Sequence, residues 1–269
     1  MSFSAAAARL ASALRDALPD STARVAVVPV ANDPRDGLSE DELAQLTKFP
    51  VAKRRREWAA GRVAAKQALV DAWPPSEPLP AAVSLRIEPD PAGRPIVSCG
   101  FRVSCPVGAS ITHAGAFAAA VAFSLNRPLG LDLEPLVDVE PGLASFVCAP
   151  TEAELLEQAT ERFGRSGALV RIWVAKEAAV KLTGTGLAVP LGRVVLERTA
   201  TASEFRATAP ATPSGESIRC RVRVVEASGY AAALAWAENG ALEGDPAEYV
   251  APAVPETGLP RIDGRDTRT

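Results

Sequence analysis

The sequence predicts an α+β protein with a pseudo-twofold duplicated fold, in which two similar halves each combine an antiparallel sheet with packed helices. Short segments with strand-like alternation are interspersed with longer helical patterns. Two of the predicted helices carry the same spacing of tryptophan and lysine, Trp58 to Lys66 and Trp173 to Lys181, at an offset of 115 residues. Only four of the 269 residues are tryptophan, so a matching pair would seldom arise by chance. The match therefore indicates an internal duplication with a site between the halves, and coincidence is the alternative.

Composition narrows the classes of protein and partner. A chain of 269 residues, 48% hydrophobic and 23% charged, can form one large domain or two small ones. A formal net charge of −3 gives no global reason to expect nucleic acid or an anionic membrane as a partner. The four cysteines form no CxxC pair and no metal spacing with the single histidine, so we expect reduced thiols in a cytoplasmic protein. The apolar stretch at 108–125 contains too many polar side chains for a membrane span.

The predicted elements of the first half begin with an amphipathic helix at the amino terminus, which is broken by charge too early for a signal peptide. A buried strand at Arg24–Val30 follows, and Ser39–Glu42 form a capping box that opens a short helix. A longer helix is predicted at Lys53–Ala72. The remaining predicted segments are strands near 83–87, 96–97, 110–113 and 117–124.

The second half begins with a predicted strand at Leu129–Glu134. Thr151–Glu154 then cap a helix that ends near Gly164, and the next helix spans Ala168–Leu182. After a glycine-rich turn, alternating segments complete an antiparallel sheet near 194–197, 205–208, 218–225 and 230–236. The end of the chain is rich in Pro, Gly, Asp, Glu and Ala, which predicts a flexible tail. The chain therefore divides into an N-terminal half, a C-terminal half and the tail, at 1–125, 126–238 and 239–269.

The strand at Leu129–Glu134 concentrates negative charge. Its period of two places Asp132 and Glu134 on one face, while Leu131 and Leu133 face a core on the other. Like charges repel, and burying one unpaired carboxylate costs roughly several kcal/mol, so the pair implies open solvent or a cation between the two groups. We favour a hard divalent cation.

The helix at Ala168–Leu182 presents Lys176, Glu177 and Lys181 outward. Glu177 and Lys181 are four residues apart and share a face. Taken alone, an exposed salt bridge worth about 0.3–0.5 kcal/mol explains this spacing. Together with the acidic strand, the spacing indicates a magnesium-assisted phosphoryl transfer site.

Basic residues elsewhere in the chain suit a phosphorylated ligand, because guanidinium groups pair with phosphate oxygens. They begin the long helix at Lys53–Arg56, continue along it at Arg62 and Lys66, and recur at Arg94 in a turn. His113, the single histidine, lies at the end of a predicted strand, where it can donate to a phosphate or to a backbone carbonyl.

These motifs occur together in one order: Arg56-Glu57-Trp58-Ala-Ala-Gly61-Arg62, Gly93-Arg94-Pro95, Ser110-Ile-Thr112-His113, Gly130-Leu-Asp132-Leu-Glu134 and Trp173-x-x-Lys176-Glu177-x-x-x-Lys181. In this the chain resembles the Sfp-type 4′-phosphopantetheinyl transferases, closest to the enterobactin-synthetase subgroup. The resemblance covers about residues 38–196. Its most specific part is the acidic strand together with the Trp-x-x-Lys-Glu-x-x-x-Lys helix.

The resemblance implies a reaction and its partners. The 4′-phosphopantetheine arm of coenzyme A would pass to a serine of an apo acyl or peptidyl carrier protein, with Mg²⁺ as cofactor and adenosine 3′,5′-bisphosphate as the second product. This is a holo-[acyl-carrier-protein] synthase type of reaction, here in siderophore or secondary metabolite biosynthesis. The resemblance also implies the duplicated 4′-phosphopantetheinyl transferase fold in a monomer.

The resemblance assigns roles residue by residue. Asp132, Glu134 and Glu177 would hold Mg²⁺ against the pyrophosphate. Glu177 is the candidate base, directly or through a metal-bound water, and Lys181 would steady charge on the leaving phosphate. The residues that would contact coenzyme A are Arg55, Arg56, Arg62, Arg94, Pro95, Thr112, His113, Lys176 and Lys181. Of these, Arg55, Arg56, Arg94 and His113 are expected to hold the 3′-phosphate.

Two other functions stay open at this point. A catalytically silent relative would bind coenzyme A or a carrier protein without transferring the arm, although no expected metal carboxylate is missing here. A different Mg²⁺-dependent phosphotransferase is disfavoured, because the sequence lacks the Walker pattern GxxxxGK[ST] and the kinase patterns HRD and DFG.

Overall fold

The computed structural model describes residues 2–30, 36–99, 105–140, 142–186, 189–211 and 216–238. The tail predicted at 239–269 lies outside these residues. Within them, no helix is both long enough and apolar enough to cross a bilayer.

The first half of the chain forms a three-stranded antiparallel sheet in the order β1-β5-β4. Its helices are α1 (Phe3–Asp16), α2 (Glu40–Leu46) and α3 (Ala52–Asp71). Its strands are β1 (Arg24–Pro29), β2 (Leu85–Pro89), β3 (Pro95–Cys99), β4 (Val107–Ala114) and β5 (Phe117–Ser124), of which β2 and β3 pair separately. Because strand side chains alternate between faces, β1 contributes Val25 to the core beneath α1 and Ala26 to the core beneath α3.

The second half forms a five-stranded antiparallel sheet in the order β6-β10-β9-β8-β7. Its strands are β6 (Leu129–Pro135), β7 (Val195–Arg198), β8 (Glu204–Pro210), β9 (Ser217–Ala227) and β10 (Tyr230–Ala237). Its helices are α4 (Leu143–Val147) and α5 (Ala153–Thr183). Gly164 interrupts α5 with φ of 72° and ψ of 163°, a conformation that favours glycine. This break at Gly164 separates two helical segments, which confirms the helix end predicted near this residue.

The two halves repeat one topology. In each, the last strand pairs with the first strand on one side and with the preceding strand on the other, which gives β1-β5-β4 and β6-β10-β9. A long helix, α3 or α5, packs on each of these three-strand units. The predicted α+β class with antiparallel sheets and packed helices is confirmed, and the residue at which the halves divide stays a prediction.

The register of the repeat differs from the one that the tryptophans indicated. Lys66 forms a buried ion pair with Glu42, and Lys176 forms a buried ion pair with Glu152. Both lysines follow their glutamate by 24 residues, so Lys66 corresponds to Lys176 at an offset of 110. The predicted equivalence of Lys66 and Lys181 is therefore wrong.

Local capping follows the prediction in one half and departs from it in the other. At the start of α2, the Ser39 side chain accepts from the Glu42 N–H and the Ser39 N–H donates to the Glu42 carboxylate, which confirms the capping box. Before α5, the Ala149 N–H donates to Glu152 Oε2 over 2.6 Å across a 3-10 turn at Pro150–Glu152. The helix α5 itself begins at Ala153 without a side-chain cap, so the cap predicted at Thr151–Glu154 is wrong. The reason is that the Glu152 side chain turns inward to a buried lysine, where it is 1% exposed.

Candidate active site

The candidate site forms where β6 and α5 touch. A Cβ on Gly130 would lie 1.9 Å from the Ala178 carbonyl oxygen, so only glycine allows the helix backbone to come this close. Leu131 and Leu133 are fully buried in the core beneath α1, as predicted. The alternation of the strand turns Asp132 to the opposite face, beside the helix.

Asp132 joins the two halves of the molecule. Its Oδ1 accepts a hydrogen bond from Thr112 Oγ1 of β4 over 3.0 Å and another from Lys181 Nζ of α5 over 2.6 Å. Asp132 is 4% exposed, and its Oδ2 has no hydrogen-bond partner within the described part of the chain. An unpaired buried carboxylate oxygen is costly, so this atom is available to a cation or a bound ligand.

Glu134 and Glu177 lie within electrostatic range of Asp132. Burial, reinforced by the negative charges of Asp132 and Glu177 and opposed by Lys181, raises the pKa of Glu134 to about 8. Burial and the charge of Asp132, opposed by Lys181, raise the pKa of Glu177 to about 7. The three carboxylates therefore repel one another when charged, and a cation between them would relieve this repulsion.

The chemistry of these donors suits Mg²⁺, which prefers carboxylate oxygens and keeps part of its shell for phosphate and water. Asp132 Oδ2 is a buried oxygen with a free coordination position. Among the described residues, no three acidic, histidine or cysteine side chains already converge on one point. Asp132, Glu134 and Glu177 would therefore hold the ion together with ligand oxygens, and a closed cage of protein ligands does not exist here.

Lys181 belongs to this cluster. It donates to Asp132 on the neighbouring strand and remains 27% exposed, so it can also contact a bound anion. The bond from Lys181 to Asp132 connects α5 to β6. The alternative account, an isolated salt bridge between Glu177 and Lys181 along one helix face, does not describe this arrangement.

Lys176 does not face the site. Its ammonium group is fully buried and donates to Glu152 Oε2 over 2.5 Å, to the Val147 carbonyl over 2.8 Å and to the Leu191 carbonyl over 3.2 Å. Burial lowers the pKa of Lys176, and Glu152 opposes that shift. Because all three N–H donors are in use, the prediction that Lys176 projects outward to contact coenzyme A is wrong.

His113 is the next-to-last residue of β4 and lies on the side that faces α3. Its side chain is 46% exposed, and Nδ1 lies 3.9 Å from Glu57 Oε2. Thr112, the residue before it, is buried and directs its hydroxyl at Asp132. His113 is therefore open to a ligand, while the Thr112 hydroxyl already serves the acidic cluster.

Arg94 is brought to the end of α5 by two turns that pack together. Gly93 adopts φ of 87° and the Arg94 Nε lies 3.2 Å from Asp90 Oδ2, which fixes the first turn. A Cβ on Gly186, in the turn after α5, would lie 2.5 Å from the Ala92 carbonyl oxygen. Pro95, next in sequence, opens β3 and is half-buried. The structure thus places Arg94 next to the second half, as a ligand contact would require.

The arginines of α3 occupy different environments. Arg55 donates to the Phe49 carbonyl over 2.6 Å, which holds the segment before the helix. Arg56 is half-buried. Arg62 lies over the Trp58 ring with 4.8 Å from the guanidinium carbon to the ring centre, and its buried Nε has no partner among the described residues. The contacts of these arginines with coenzyme A stay predictions.

Sequence reasoning overlooked two residues that support this region. The Tyr230 hydroxyl accepts a hydrogen bond from the Ala116 N–H over 2.9 Å, which ties the turn after His113 to β10. Glu152 anchors Lys176 behind the site. The repeated spacing of 24 residues between a glutamate and a lysine was a signal that could have revealed Glu152, whereas no local pattern marks Tyr230.

Two clefts lie away from these groups. A cleft of about 650 Å³ is lined by the segment after β6 and the break in α5, and another of about 610 Å³ lies between α1, β1 and α3. Neither contains the acidic cluster. We assign the site from its charged groups, because a metal and phosphate site needs convergent charge more than enclosed apolar volume.

Known proteins share this part of the chain. The model of the 4′-phosphopantetheinyl transferase superfamily matches residues 128–235, which include Asp132, Glu134, Glu177 and Lys181. The 4′-phosphopantetheinyl transferase HetI from Nostoc sp. is 30% identical over 177 residues, which are 65% of this chain and 70% of that protein. The crystal structure of Thermotoga maritima holo-[acyl-carrier-protein] synthase shares 19% identity at a TM-score of 0.30, over 41% of this chain and 62% of the other. The match thus spans less than two thirds of that structure.

Proposed function

Because the chain belongs to the 4′-phosphopantetheinyl transferase superfamily, we propose that it transfers the phosphopantetheine arm of coenzyme A to a serine of an apo acyl or peptidyl carrier protein. The reaction would depend on Mg²⁺ and release adenosine 3′,5′-bisphosphate. This corresponds to the holo-[acyl-carrier-protein] synthase type of activity.

One observation carries this proposal: a buried Asp132 oxygen that has no hydrogen-bond partner among the described residues, in a cluster with Glu134 and Glu177. A pyrophosphate group would be repelled by three carboxylates unless a cation lay between them. When bound, Mg²⁺ supplies that neutralisation. The same groups would be an unfavourable surface for coenzyme A without it, which supports metal dependence.

The residues around the cluster supply the other steps. Glu177 would accept the proton of the carrier serine, directly or through a metal-bound water, as the serine oxygen attacks the phosphorus. Lys181, partly exposed beside Asp132, can offset charge that grows on the phosphate leaving group. Arg94 and His113 are candidates for the 3′-phosphate of coenzyme A, together with Arg55 and Arg56.

Finer assignments belong to the same proposal. We propose a cytoplasmic monomer of the enterobactin-synthetase subgroup that serves carriers of siderophore or secondary metabolite synthesis. The motif order along the chain supports the subgroup. Carrier proteins from different pathways, assayed side by side, would test the pathway.

Intact-mass analysis tests the function. Apo carrier proteins of fatty-acid, polyketide and peptide-synthetase type are incubated with the protein, coenzyme A and Mg²⁺, and parallel samples contain a chelator. We expect one carrier or more to gain the mass of one phosphopantetheine group, and chelation to prevent it. Coenzyme A binding without any mass gain across the panel would contradict the proposal and favour the catalytically silent relative.

A further inference from the structure

The ion pair between Lys176 and Glu152 involves the residue of α5 that immediately precedes Glu177. Glu152 Oε2 accepts from Lys176 and from the Ala149 N–H, and Oε1 accepts from the Leu196 N–H over 2.7 Å. Lys176 also donates to the carbonyls at the end of α4 and in the segment before β7. One ion pair therefore joins α5 to the peptide segments on either side of it.

A buried pair of this kind is stable only when its polar atoms are satisfied, because taking two charges out of water is costly. Lys176 uses its three donors, and each oxygen of Glu152 has a partner. Removal of one member would leave the other charged and unpaired. Such complete satisfaction fixes the position of both side chains and of the helix turn that carries Lys176.

The first half contains a matched pair that is not followed by a residue of the acidic cluster. Glu42 accepts from Lys66, and the Ser39 N–H donates to Glu42 Oε2, as the Ala149 N–H does to Glu152. The residue after Lys66 is Gln67, which is exposed. The residue after Lys176 is Glu177, which lies in the acidic cluster. The duplicated fold therefore provides an internal control.

The geometry of a helix connects the ion pair to the site. Successive residues point about 100° apart, so the orientation of Lys176 determines that of Glu177. On the side facing β6, the contact between Gly130 and Ala178 fixes how closely the helix approaches the strand. This contact does not prevent α5 from rotating about its own axis. The buried Lys176 side chain restricts that rotation.

We propose that Lys176 and Glu152 form a positioning pair, which sets the rotation of α5 and so holds Glu177 and Lys181 against Asp132. This rests on the proposed function for its catalytic consequence. Lys176 itself touches neither coenzyme A nor the carrier serine. Its influence on transfer is exerted through the placement of its neighbours.

The test replaces both members of each pair, so that no lone buried charge remains. Lys176→Met with Glu152→Gln is compared with the matched control Lys66→Met with Glu42→Gln. For each, thermal unfolding, Mg²⁺ binding by calorimetry, hydrogen exchange over the last turns of α5, and kcat and KM for coenzyme A are measured. Glu152→Asp, which keeps the charge on a shorter side chain, is a second and milder variant.

We expect both double variants to lose thermal stability. Only the second-half variant should show faster exchange in α5, weaker Mg²⁺ binding and a kcat lower by at least about tenfold, with KM for coenzyme A within about twofold of the original. Glu152→Asp should shift the same quantities by smaller factors.

Two results would overturn the inference. A KM for coenzyme A raised about tenfold with kcat intact would mean that Lys176 contacts the substrate. Catalytic and binding values equal to those of the first-half control would mean that the pair serves folding alone. Exchange and Mg²⁺ binding need no carrier protein, so these readouts decide the inference even if no carrier accepts the phosphopantetheine group.

Discussion

Thr112 of the first half donates its hydroxyl hydrogen to Asp132 of the second half over 3.0 Å. Two residues earlier on β4, Ser110 Oγ accepts a hydrogen bond from the Leu131 N–H of β6 over 3.1 Å. Two hydroxyl side chains of β4 thus hold β6 at the boundary between the sheets. The acidic cluster of the second half is therefore held in place by side chains of the first half.

Replacement of Thr112 tests this connection. Thr112→Val keeps the shape but removes the donor to a charged acceptor, which costs roughly 1.5–3 kcal/mol for such a bond. We expect a lower unfolding temperature and weaker Mg²⁺ binding, because Asp132 loses one restraint. Thr112→Ser retains the hydroxyl and should behave nearly as the original; equal losses in both variants would show that packing, and not this bond, matters.

Gly130 tests the close approach of β6 and α5. In Gly130→Ala the added methyl meets the Ala178 carbonyl oxygen at 1.9 Å, and a backbone atom cannot move aside without shifting the helix. We expect a loss of roughly 1–3 kcal/mol or more in the free energy of unfolding. Gly142→Ala is the control, since no atom lies within 4 Å of its added Cβ. Denaturant unfolding measures the free energy of unfolding of both variants. Similar values for the two would mean that the backbones of β6 and α5 do not approach this closely.

The raised carboxyl pKa values predict how Mg²⁺ and pH combine. The pKa is about 8 for Glu134 and about 7 for Glu177, against an ordinary value of 4.5, so between these values the folded protein binds more protons than the unfolded one. Without metal, these groups make stability fall as pH rises through that window. Bound Mg²⁺ should offset the loss, so its stabilising effect should be larger at about pH 8 than at about pH 5.

Thermal unfolding with and without Mg²⁺ across this window measures the effect. Glu134→Gln removes the group with the higher pKa and should flatten the metal-free pH dependence. A stabilisation by Mg²⁺ that is the same at both ends of the window would argue against these carboxylates as its ligands.

His113 is expected to contact the 3′-phosphate of coenzyme A. Its ring is partly exposed near Glu57, and removal in His113→Ala should raise KM for coenzyme A while leaving KM for 3′-dephospho-coenzyme A nearly unchanged. Arg198→Ala, an exposed basic residue on β7, is the control. If His113→Ala weakens both substrates equally, its role is not recognition of that phosphate.

Much of this architecture follows from local pattern. Strand alternation predicted β5 with its observed ends, placed Asp132 and Glu134 on a common face, and sent Leu131 and Leu133 into a core. These features depend on neighbouring residues and on a fixed backbone period.

The orientation of Lys176 could not be predicted in this way. A lysine on an amphipathic helix ordinarily faces water, and the glutamate that allows its burial is 24 residues earlier. The predicted alignment of the two halves was wrong for a related reason. The two tryptophans have the same spacing to a lysine and similar contacts, since Trp58 packs on Phe49 and Trp173 packs on Phe146. The buried ion pairs show that they are nevertheless not equivalent positions of the repeat.

We propose that Asp132 binds the Mg²⁺ required for phosphopantetheine transfer. Asp132→Asn keeps the size of the side chain and the acceptor for Thr112 but removes the charge. The most direct measurement is the rate of carrier mass gain against Mg²⁺ concentration for this variant and the original protein. We predict a rate lower by about a hundredfold or more, with near-normal folding. Transfer by Asp132→Asn at the original rate and Mg²⁺ dependence would contradict the account.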